Sequence, residues 1–580
     1  MVKIKINDIE VEVEESSTIL EAANKINVKI PTLCHYNLPD INFVNKEANC
    51  RVCLVQWGNG LVPACNTLVK DGMEIRTDTQ KVIKSRKTNI ELLLSNHPKT
   101  CLVCDRNGNC ELQTLAAENN IREIRYSGKM INRPIDNSSY SIIRDPNKCI
   151  LCKRCETMCN EFQTVGTLTD VGRGFETVVG TNFMQPMHQT NCTFCGQCLS
   201  VCPTGALTEV NEVTEVYDAL NDEDKIVVVQ TAPAVRVALG EAFGMEAGSV
   251  VTGQMVTALR SLGFDYVFDT DFAADVTAIE EAHEVVDRLT NNGRLPIITS
   301  CCPSWVNFIE NNFPDLLDIP STCKSPHEMF GSIAKSYFAE KINVDPKNIV
   351  VVSVMPCVAK KYESRRPELV NSSGYSDVDY VITTRELASM IRDMSLSLEH
   401  LEPSDYDRMM GESTGAGVIF GATGGVLESA LRTAYNIMTG DDLEEVEFKE
   451  MKDFRGTKIS KVDLAGKEVT AVVTSGLGNA RRVLEKVEKG EAHYDIIEIM
   501  ACPGGCVNGG GQPRHNADVN VIKQRMEGLF SEDRNKKLRR SYENPEIQKL
   551  YDEYLGHPGS EKAHALLHTH YDDEKTVEFF

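Results

Sequence analysis

Residues 348–363, NIVVVSVMPCVAKKYE, hold the reading that decides the fold. A β-branched apolar run stops at Met355-Pro356-Cys357 and then turns helical. Such a run reads as a strand buried on both faces of a sheet. Working outward from it, IVVVQT, LPIITS, TAVVTS and YDIIEIM share its texture and alternate with helical stretches from about residue 218 onward. That alternation predicts an α/β domain with parallel pairing, over residues 213–515. Four of the five runs end directly in unusual loops: TAP (231–233), TSCCPSW (299–305), MPCVAKKYE (355–363) and MACPGGCVNGGGQP (500–513). Ligands in open α/β sheets bind beyond the carboxyl ends of strands. Cys302, Cys357, Cys502 and Cys506 can therefore converge on one site, although about two hundred residues separate the first from the last. Glycines at 504, 505 and 509–511 let backbone approach a large inorganic cofactor closely.

The rest of the chain bounds the function. At 580 residues it holds roughly three to five domains. Its 61 basic against 84 acidic residues argue against nucleic acid or an anionic membrane as the main partner. No run approaches the roughly 18 apolar residues of a membrane span. The start, MVKIKINDIEVEVEE, alternates like a strand and lacks an apolar signal core, cleavage site or twin arginine, so the chain reads as cytoplasmic. Fifteen of the 21 cysteines precede residue 203 in tight, repeated spacings. In a reducing compartment these are metal ligands rather than disulfides.

The cysteines divide the front of the chain. Residues 1–78 open with strands and a short helix, then place Cys34, Cys50, Cys53 and Cys65 at Cys-x15-Cys-x2-Cys-x11-Cys. This suits a 2Fe–2S cluster in a small β-rich domain of β-grasp type, with a zinc ribbon as the alternative. Residues 79–140 begin helical and then offer His97, Cys101, Cys104 and Cys110. One imidazole and three thiolates suit zinc or a 4Fe–4S cluster, and an imidazole ligand would raise the cluster's potential. Residues 141–212 repeat Cys-x2-Cys-x2-Cys-x3-Cys: Cys149, Cys152, Cys155, Cys159, then Cys192, Cys195, Cys198, Cys202. That is the bacterial two-cluster ferredoxin signature, in which each fourth cysteine serves the other cluster. Cys202 then completes the first site and Cys159 the second. Residues 516–580 are polar and mostly helical; His564, His568 and His570 have metal-like spacing, but the reading preferred over a metal site is surface histidines in a wrapping segment packed on the preceding domain.

The three loops TSCCPSW, MPCVAKKYE and MACPGGCVNGGGQP resemble the signature motifs of iron-only (FeFe) hydrogenases, and the cysteine-rich front resembles the larger members of that family. SEKAHALLHTHY looks like the segment that forms a separate small subunit in periplasmic members. The resemblance implies one 2Fe–2S cluster, three accessory 4Fe–4S clusters and a six-iron H-cluster: a 4Fe–4S cubane joined to a diiron subsite carrying CO, cyanide and an azadithiolate. By motif position Cys302, Cys357, Cys502 and Cys506 hold the cubane, and Cys506 bridges to the diiron unit. Lys360 would donate to one cyanide, Ala232 and Pro233 would line the other, and Met355, Met500 and Phe420 would shield the pocket. The resemblance makes Cys301 the proton donor and acceptor. Glu281, Glu284 and Arg288 share one helical face in EEAHEVVDRL, and the implied route runs from Arg288 and Glu284 at the surface through Ser321 and Glu281 to Cys301. Cys323 is left over as a small buried or pocket-side thiol.

The implied reaction is H2 ⇌ 2H⁺ + 2e⁻. Two other readings start from the same residues. A cluster-assembly protein of the related eukaryotic type lacks the Cys301–Cys302 pair and the long front; an electron-transfer subunit like that of complex I accounts for the front alone. Ser475-Gly476-Leu477-Gly478-Asn479-Ala480 is only a partial dinucleotide fingerprint. Since the chain resembles catalytic subunits of NAD(P)-linked, electron-bifurcating complexes, the implied partners are a flavin-bearing NAD(P)-binding subunit, a small 2Fe–2S subunit, ferredoxin and maturation enzymes. The alternative is a stand-alone ferredoxin hydrogenase.

Overall fold

A computed structural model describes residues 1–45, 48–370, 374–443, 446–451 and 454–571. In the front segment, strand Val2–Ile6 pairs antiparallel with Ile9–Val13 and parallel with Glu74–Arg76. Leu54–Trp57 and Gly60–Pro63 complete a five-stranded sheet. Helix Ile19–Lys25 starts at a capping box in which the Thr18 hydroxyl accepts from Glu21 N and the Glu21 carboxylate accepts from Thr18 N. Its Ile19, Leu20, Ala22 and Ala23 fill the core against the sheet.

The two cysteine runs that follow fold alike. Strands Ile142–Arg144 and Leu207–Glu209 pair antiparallel and bracket both. Leu151 and Lys153 in the first run, and Phe194 and Gly196 in the second, all take positive φ, just ahead of helices Arg154–Thr157 and Gln197–Val201. Matching left-handed turns at matching offsets are the backbone form of the sequence repeat.

Two sheets, not one, build the large domain. In the first, Tyr266–Asp269, Ile226–Thr231, Ile349–Met355 and Tyr380–Thr383 lie side by side, all parallel. In the second, Ile297–Ile298, Ile496–Met500 and Lys467–Ser475 are parallel, but Phe454–Leu464 and Lys449–Met451 continue it antiparallel. The expectation of parallel pairing thus needs correcting over 449–475. Leu464 pairs with Lys467 across Ala465-Gly466, whose φ values of 55° and 88° make the two-residue turn that suits a twisted hairpin. Charged residues interspersed along Phe454–Leu464 hide that strand from a search for buried runs.

Helix Thr270–Thr290 packs between Gly425–Thr439 and Pro326–Ile333 and is buried for most of its length. The C-terminal segment wraps this domain through helices Val519–Asn535, Pro545–Leu550 and Glu561–Leu567. Lys324 N donates to Leu567 O at 2.8 Å and Thr569 N to Thr322 O at 2.7 Å, which pins the segment beside the long helix. Among the described residues no helix is long and apolar enough to cross a membrane.

Candidate active site and metal centres

All 21 cysteines are free thiols, and the fold gathers twenty of them into groups or beside one. Cys34, Cys50, Cys53 and Cys65 are buried together, with Cys53 Sγ 3.3 Å from Cys65 Sγ. Hydrogen bonds from the Cys50 and Cys65 thiols hold Cys34 well below the usual thiol range, and the same bonds with burial push Cys50 and Cys65 above it, so the bare thiols share protons at close range. His97, Cys101, Cys104 and Cys110 line one cavity with Arg106 and Lys148. The buried His97 Nδ1 has no hydrogen-bond partner among the described residues, and burial lowers its pKa, which keeps the ring neutral. A neutral imidazole with a free nitrogen beside three thiols is a donor set for a metal.

Cys149, Cys152 and Cys155 share a cavity with Cys202, and Cys192, Cys195 and Cys198 share one with Cys159. Chain crossing between the two runs places each fourth thiol in the opposite group. Gln197, beside Cys198, reaches out of the second group: its Nε2 donates to Cys502 Sγ at 3.1 Å and to Asn508 O at 3.0 Å. Gly196 makes that approach possible. A Cβ there would meet Val358 Cγ2 at 2.7 Å and Gly510 Cα at 3.0 Å.

The loops leaving Ile297–Ile298, Ile349–Met355 and Ile496–Met500 bring Cys302, Cys357, Cys502 and Cys506 together. Burial raises each of these thiols, and each feels the charges of others in the group or of Lys360. A cluster of thiols that burial keeps protonated when bare is stabilised by a cation that takes the thiolate form. The residues therefore fit an iron–sulfur group. Gly505 takes φ 93°, and a Cβ there would lie 2.6 Å from Thr423 N, so the Cys502–Cys506 loop closes only with glycine.

Around this cradle the wall is apolar. Cys301, Phe420 and Met500 pack with Ala274 and Ala278 of the long helix. Met355 is buried at the end of its strand, and Ala232 N donates to Val354 O at 3.0 Å, holding the Ala232-Pro233 turn beside it. Lys360 Nζ donates to Cys301 O at 3.1 Å and to Glu363 Oε2 at 2.6 Å. Burial opposes its charge, and Glu363 with Cys301 and Cys357 outweighs burial, so the ammonium persists.

Carboxyls and hydroxyls lead away from Cys301. Glu281 Oε1 accepts from Ser300 N at 3.4 Å, while its Oε2 has no partner among the described residues. Burial first, then the Glu284 charge, push Glu281 up to about 8. The Ser321 hydroxyl lies against Glu281 and donates to Glu284 Oε2 at 2.8 Å. Arg288 donates to Glu284 Oε1 at 2.6 Å. Glu284 and Arg288 are not surface groups: their side chains are 15% and 13% exposed, because Arg288 folds under the turn and donates to Ile319 O and Pro320 O.

Glu498 was not legible as a site residue. It sits inside the apolar run YDIIEIM, fully buried, where a lone carboxylate is itself the signal. It accepts from Gly424 N at 2.6 Å and Leu427 N at 2.9 Å at the start of helix Gly425–Thr439. Burial moves it up to about 7, and its charge acts on Cys301, Cys506 and Glu281. Gln197 is likewise silent in the sequence, where one amide between Gly196 and Cys198 carries no signal.

A chain of thiol cradles ending at a buried, lysine-anchored thiol pocket defines an iron–sulfur redox enzyme. Comparison with known proteins narrows the class. Residues 225–510 match the model of the iron only hydrogenase large subunit, C-terminal domain, and 519–574 that of the iron hydrogenase small subunit. Residues 1–80 match a 2Fe-2S iron-sulfur cluster binding domain, 86–125 the NADH-ubiquinone oxidoreductase-G iron-sulfur binding region, and 148–206 a 4Fe-4S dicluster domain. The chain is 52% identical to the NADP-reducing hydrogenase subunit HndD of Solidesulfovibrio fructosivorans, over 98% of this chain and 99% of that one. It is 41% identical to iron hydrogenase 1 of Clostridium pasteurianum, over 98% of this chain and 100% of that one. A solved [FeFe]-hydrogenase HydA1 of Chlamydomonas reinhardtii superposes with a TM-score of 0.58 at 40% identity, covering 63% of this chain and 99% of that chain. The chain belongs to the iron-only hydrogenase family. Its reaction is reversible hydrogen oxidation and proton reduction.

Proposed function

We propose that this chain is the hydrogen-converting subunit of a cytoplasmic, NAD(P)- and ferredoxin-linked, electron-bifurcating complex. Cys34, Cys50, Cys53 and Cys65 would hold a 2Fe–2S cluster in a β-grasp domain. His97 with Cys101, Cys104 and Cys110 would hold a 4Fe–4S cluster, and the two crossed cysteine groups one each. Cys302, Cys357, Cys502 and Cys506 would hold the H-cluster, which when bound supplies the redox site at which H2 is split or formed.

The chain's own residues handle binding and protons. Lys360 presents its ammonium into the pocket, where it would meet a cyanide, and Glu363 keeps it charged. Ala232 and Pro233 would line the second cyanide, and Met355, Phe420 and Met500 exclude water. Cys301 would hold the proton at the cluster-facing end of the route, which continues through Glu281, Ser321, Glu284 and Arg288. The observation that carries this reading is the line of Glu281, Ser321 and Glu284 beside the Cys301 thiol, its first two members buried and Glu284 partly exposed at the outer end. Buried carboxyls without full partners are costly and persist where function needs them.

Partnership rests on the relative of similar length whose name is NADP-reducing, and on the absence of a full nucleotide fingerprint. A flavin-bearing NAD(P)-binding subunit and a small 2Fe–2S subunit would dock at the cluster-bearing front. The test uses protein matured in a competent host. Infrared bands of metal-bound CO and cyanide, about 20 irons per chain and no zinc in place of iron are expected. One zinc with four fewer irons would move the His97 site from electron carrier to structural clip. The purified chain should evolve H2 from a reduced viologen dye and leave NAD⁺ and NADP⁺ unreduced. Nucleotide reduction by the chain alone would overturn the partnership.

A further inference from the structure

Cys323, unassigned by the cofactor ligands, and His568 of the C-terminal segment meet at the outer half of the carboxyl line. A ligand atom of Cys323, one of His568 and one of Glu284 all lie within 4.8 Å of one another. The thiol faces the charges of Glu280, Glu281 and Glu284, all on helix Thr270–Thr290. A thiol, an imidazole and carboxylates in one pocket are the donor set of a borderline-soft divalent ion, not of magnesium or calcium. Beside it, the Glu281 Oε2 atom, in a side chain only about 2% exposed, has no hydrogen-bond partner among the described residues, and the Glu281 charge acts on the same thiol. We propose that Cys323, His568 and Glu284 form a binding site for a zinc-class divalent cation, and that its occupation shuts the outer end of the proton route.

The surroundings are those of a ligand site. His568 has a partner for either ring nitrogen: Thr322 Oγ1 lies 2.8 Å from Nδ1 and Glu280 Oε2 lies 3.2 Å from Nε2. Whichever nitrogen takes the cation, the other keeps the outer hydrogen bond that orients a metal-bound histidine. Of the three donors, Cys323 also lines a cavity, with Ser300, Val306, Arg366, Thr569 and Tyr571. Bond lengths of about 2.3 Å to sulfur and about 2.0–2.2 Å to nitrogen and oxygen require the three donors to close by a fraction of their present separation. Binding exchanges the thiol proton for the cation, and the proton leaves to solvent. The cation must compete with Arg288 and Ser321, which hold Glu284 Oε1 at 2.6 Å and Oε2 at 2.8 Å. With Glu284 on the cation, Ser321 and Arg288 lose the carboxylate that joins them, so protons no longer pass. The shut-off rests on the proton route proposed above; the binding site does not.

The test titrates zinc ion alone into fully loaded holoenzyme. The wild type should retain one more chelator-removable zinc per chain than Cys323→Ala. Its H2 evolution from reduced viologen should fall at least tenfold and recover with chelator. Cys323→Ala should keep its basal turnover in the presence of zinc. His568→Gln, which keeps a polar side chain, should show the same zinc loss if Cys323→Ala folds poorly. Equal zinc in wild type and both variants overturns the site and leaves the proton route standing. A Cys323-dependent zinc that leaves turnover unchanged overturns the shut-off, and with it the route through Glu284.

Discussion

The two sides of the Cys301–Cys302 pair are built on different rules. Toward Cys302 the molecule is all proximity: Gln197 touches Cys502, and Gly196 and Gly510 abut backbone to backbone. Toward Cys301 it is all chemistry: a thiol that feels the Glu281 charge, then two carboxyls joined by the Ser321 hydroxyl. An electron needs only a short gap, so its side constrains spacing and tolerates side-chain identity. A proton needs a titratable or hydroxylic atom at every step, at hydrogen-bond distance. On the proposed roles, substitutions should therefore fail in different ways on the two sides.

Cys301→Ala should give the largest effect. Alanine offers no proton, so turnover should fall by about 10²–10⁴-fold while the CO and cyanide infrared bands remain. Wild-type H2 evolution in this variant would remove Cys301 from the route and erase the contrast.

Glu281→Gln comes next, with turnover lower by roughly 10²-fold and a second signature that packing alone does not give. The carboxyl ordinarily titrates at 4.5, and here it is pushed up to about 8 by burial and by Glu284. Between those values the folded chain keeps a proton that the unfolded chain has lost. The side chain's contribution to stability therefore falls as pH rises through that window. Glutamine does not titrate, so the variant should be more stable than wild type at pH 8, by on the order of 1 kcal/mol. Thermal melts at pH 5 and pH 8 decide it: a stability difference that does not grow with pH would sink the raised pKa.

The same contrast governs what the sequence makes legible. Thiol groups announce themselves, because a metal site needs fixed residue types at short spacings, and the repeats at 149–159 and 192–202 read directly. The four loops at strand ends were legible for a related reason: buried parallel strands are continuous apolar runs, and ligands gather where they end. The first strand of the hairpin at 454–475 was not, since Lys458, Lys461 and Asp463 make it look like any solvated stretch and its Ala465-Gly466 turn lacks the Asn-Gly cue. Glu284 and Arg288 looked like a surface pair because helical spacing cannot show the turn at 318–320 that covers Arg288. Cys323 and His568 lie 245 residues apart, and only the wrap of the C-terminal segment joins them.

Gly510→Ala tests the electron side by spacing alone. A Cβ there would sit 2.8 Å from Gly196 Cα and 2.9 Å from its carbonyl oxygen, so the loop and the second cysteine run must part. Overpacking of this kind costs about 1–3 kcal/mol. Turnover should drop several-fold with its pH profile unchanged, because no proton-carrying group has moved. A shifted pH profile would mean that the two sides are not separable.

Gln197→Ala should give the smallest effect and the most specific one. The amide donates to Cys502 Sγ, and a hydrogen bond to a ligating sulfur stabilises the more negative, reduced form of the group that sulfur holds. Removing it should lower that group's midpoint potential, by on the order of tens of millivolts. The amide also donates to Asn508 O, so part of any loss is structural; Gln197→Glu keeps the bulk but replaces the donor with an acceptor and should move the potential further in the same direction. Infrared redox titration of the matured protein reads both variants. Turnover should change only a few-fold, and H2 uptake and evolution should change unequally, because a potential shift alters the bias between them. A midpoint that stays put or rises in both variants would show that Gln197 merely packs the second cysteine run against the site.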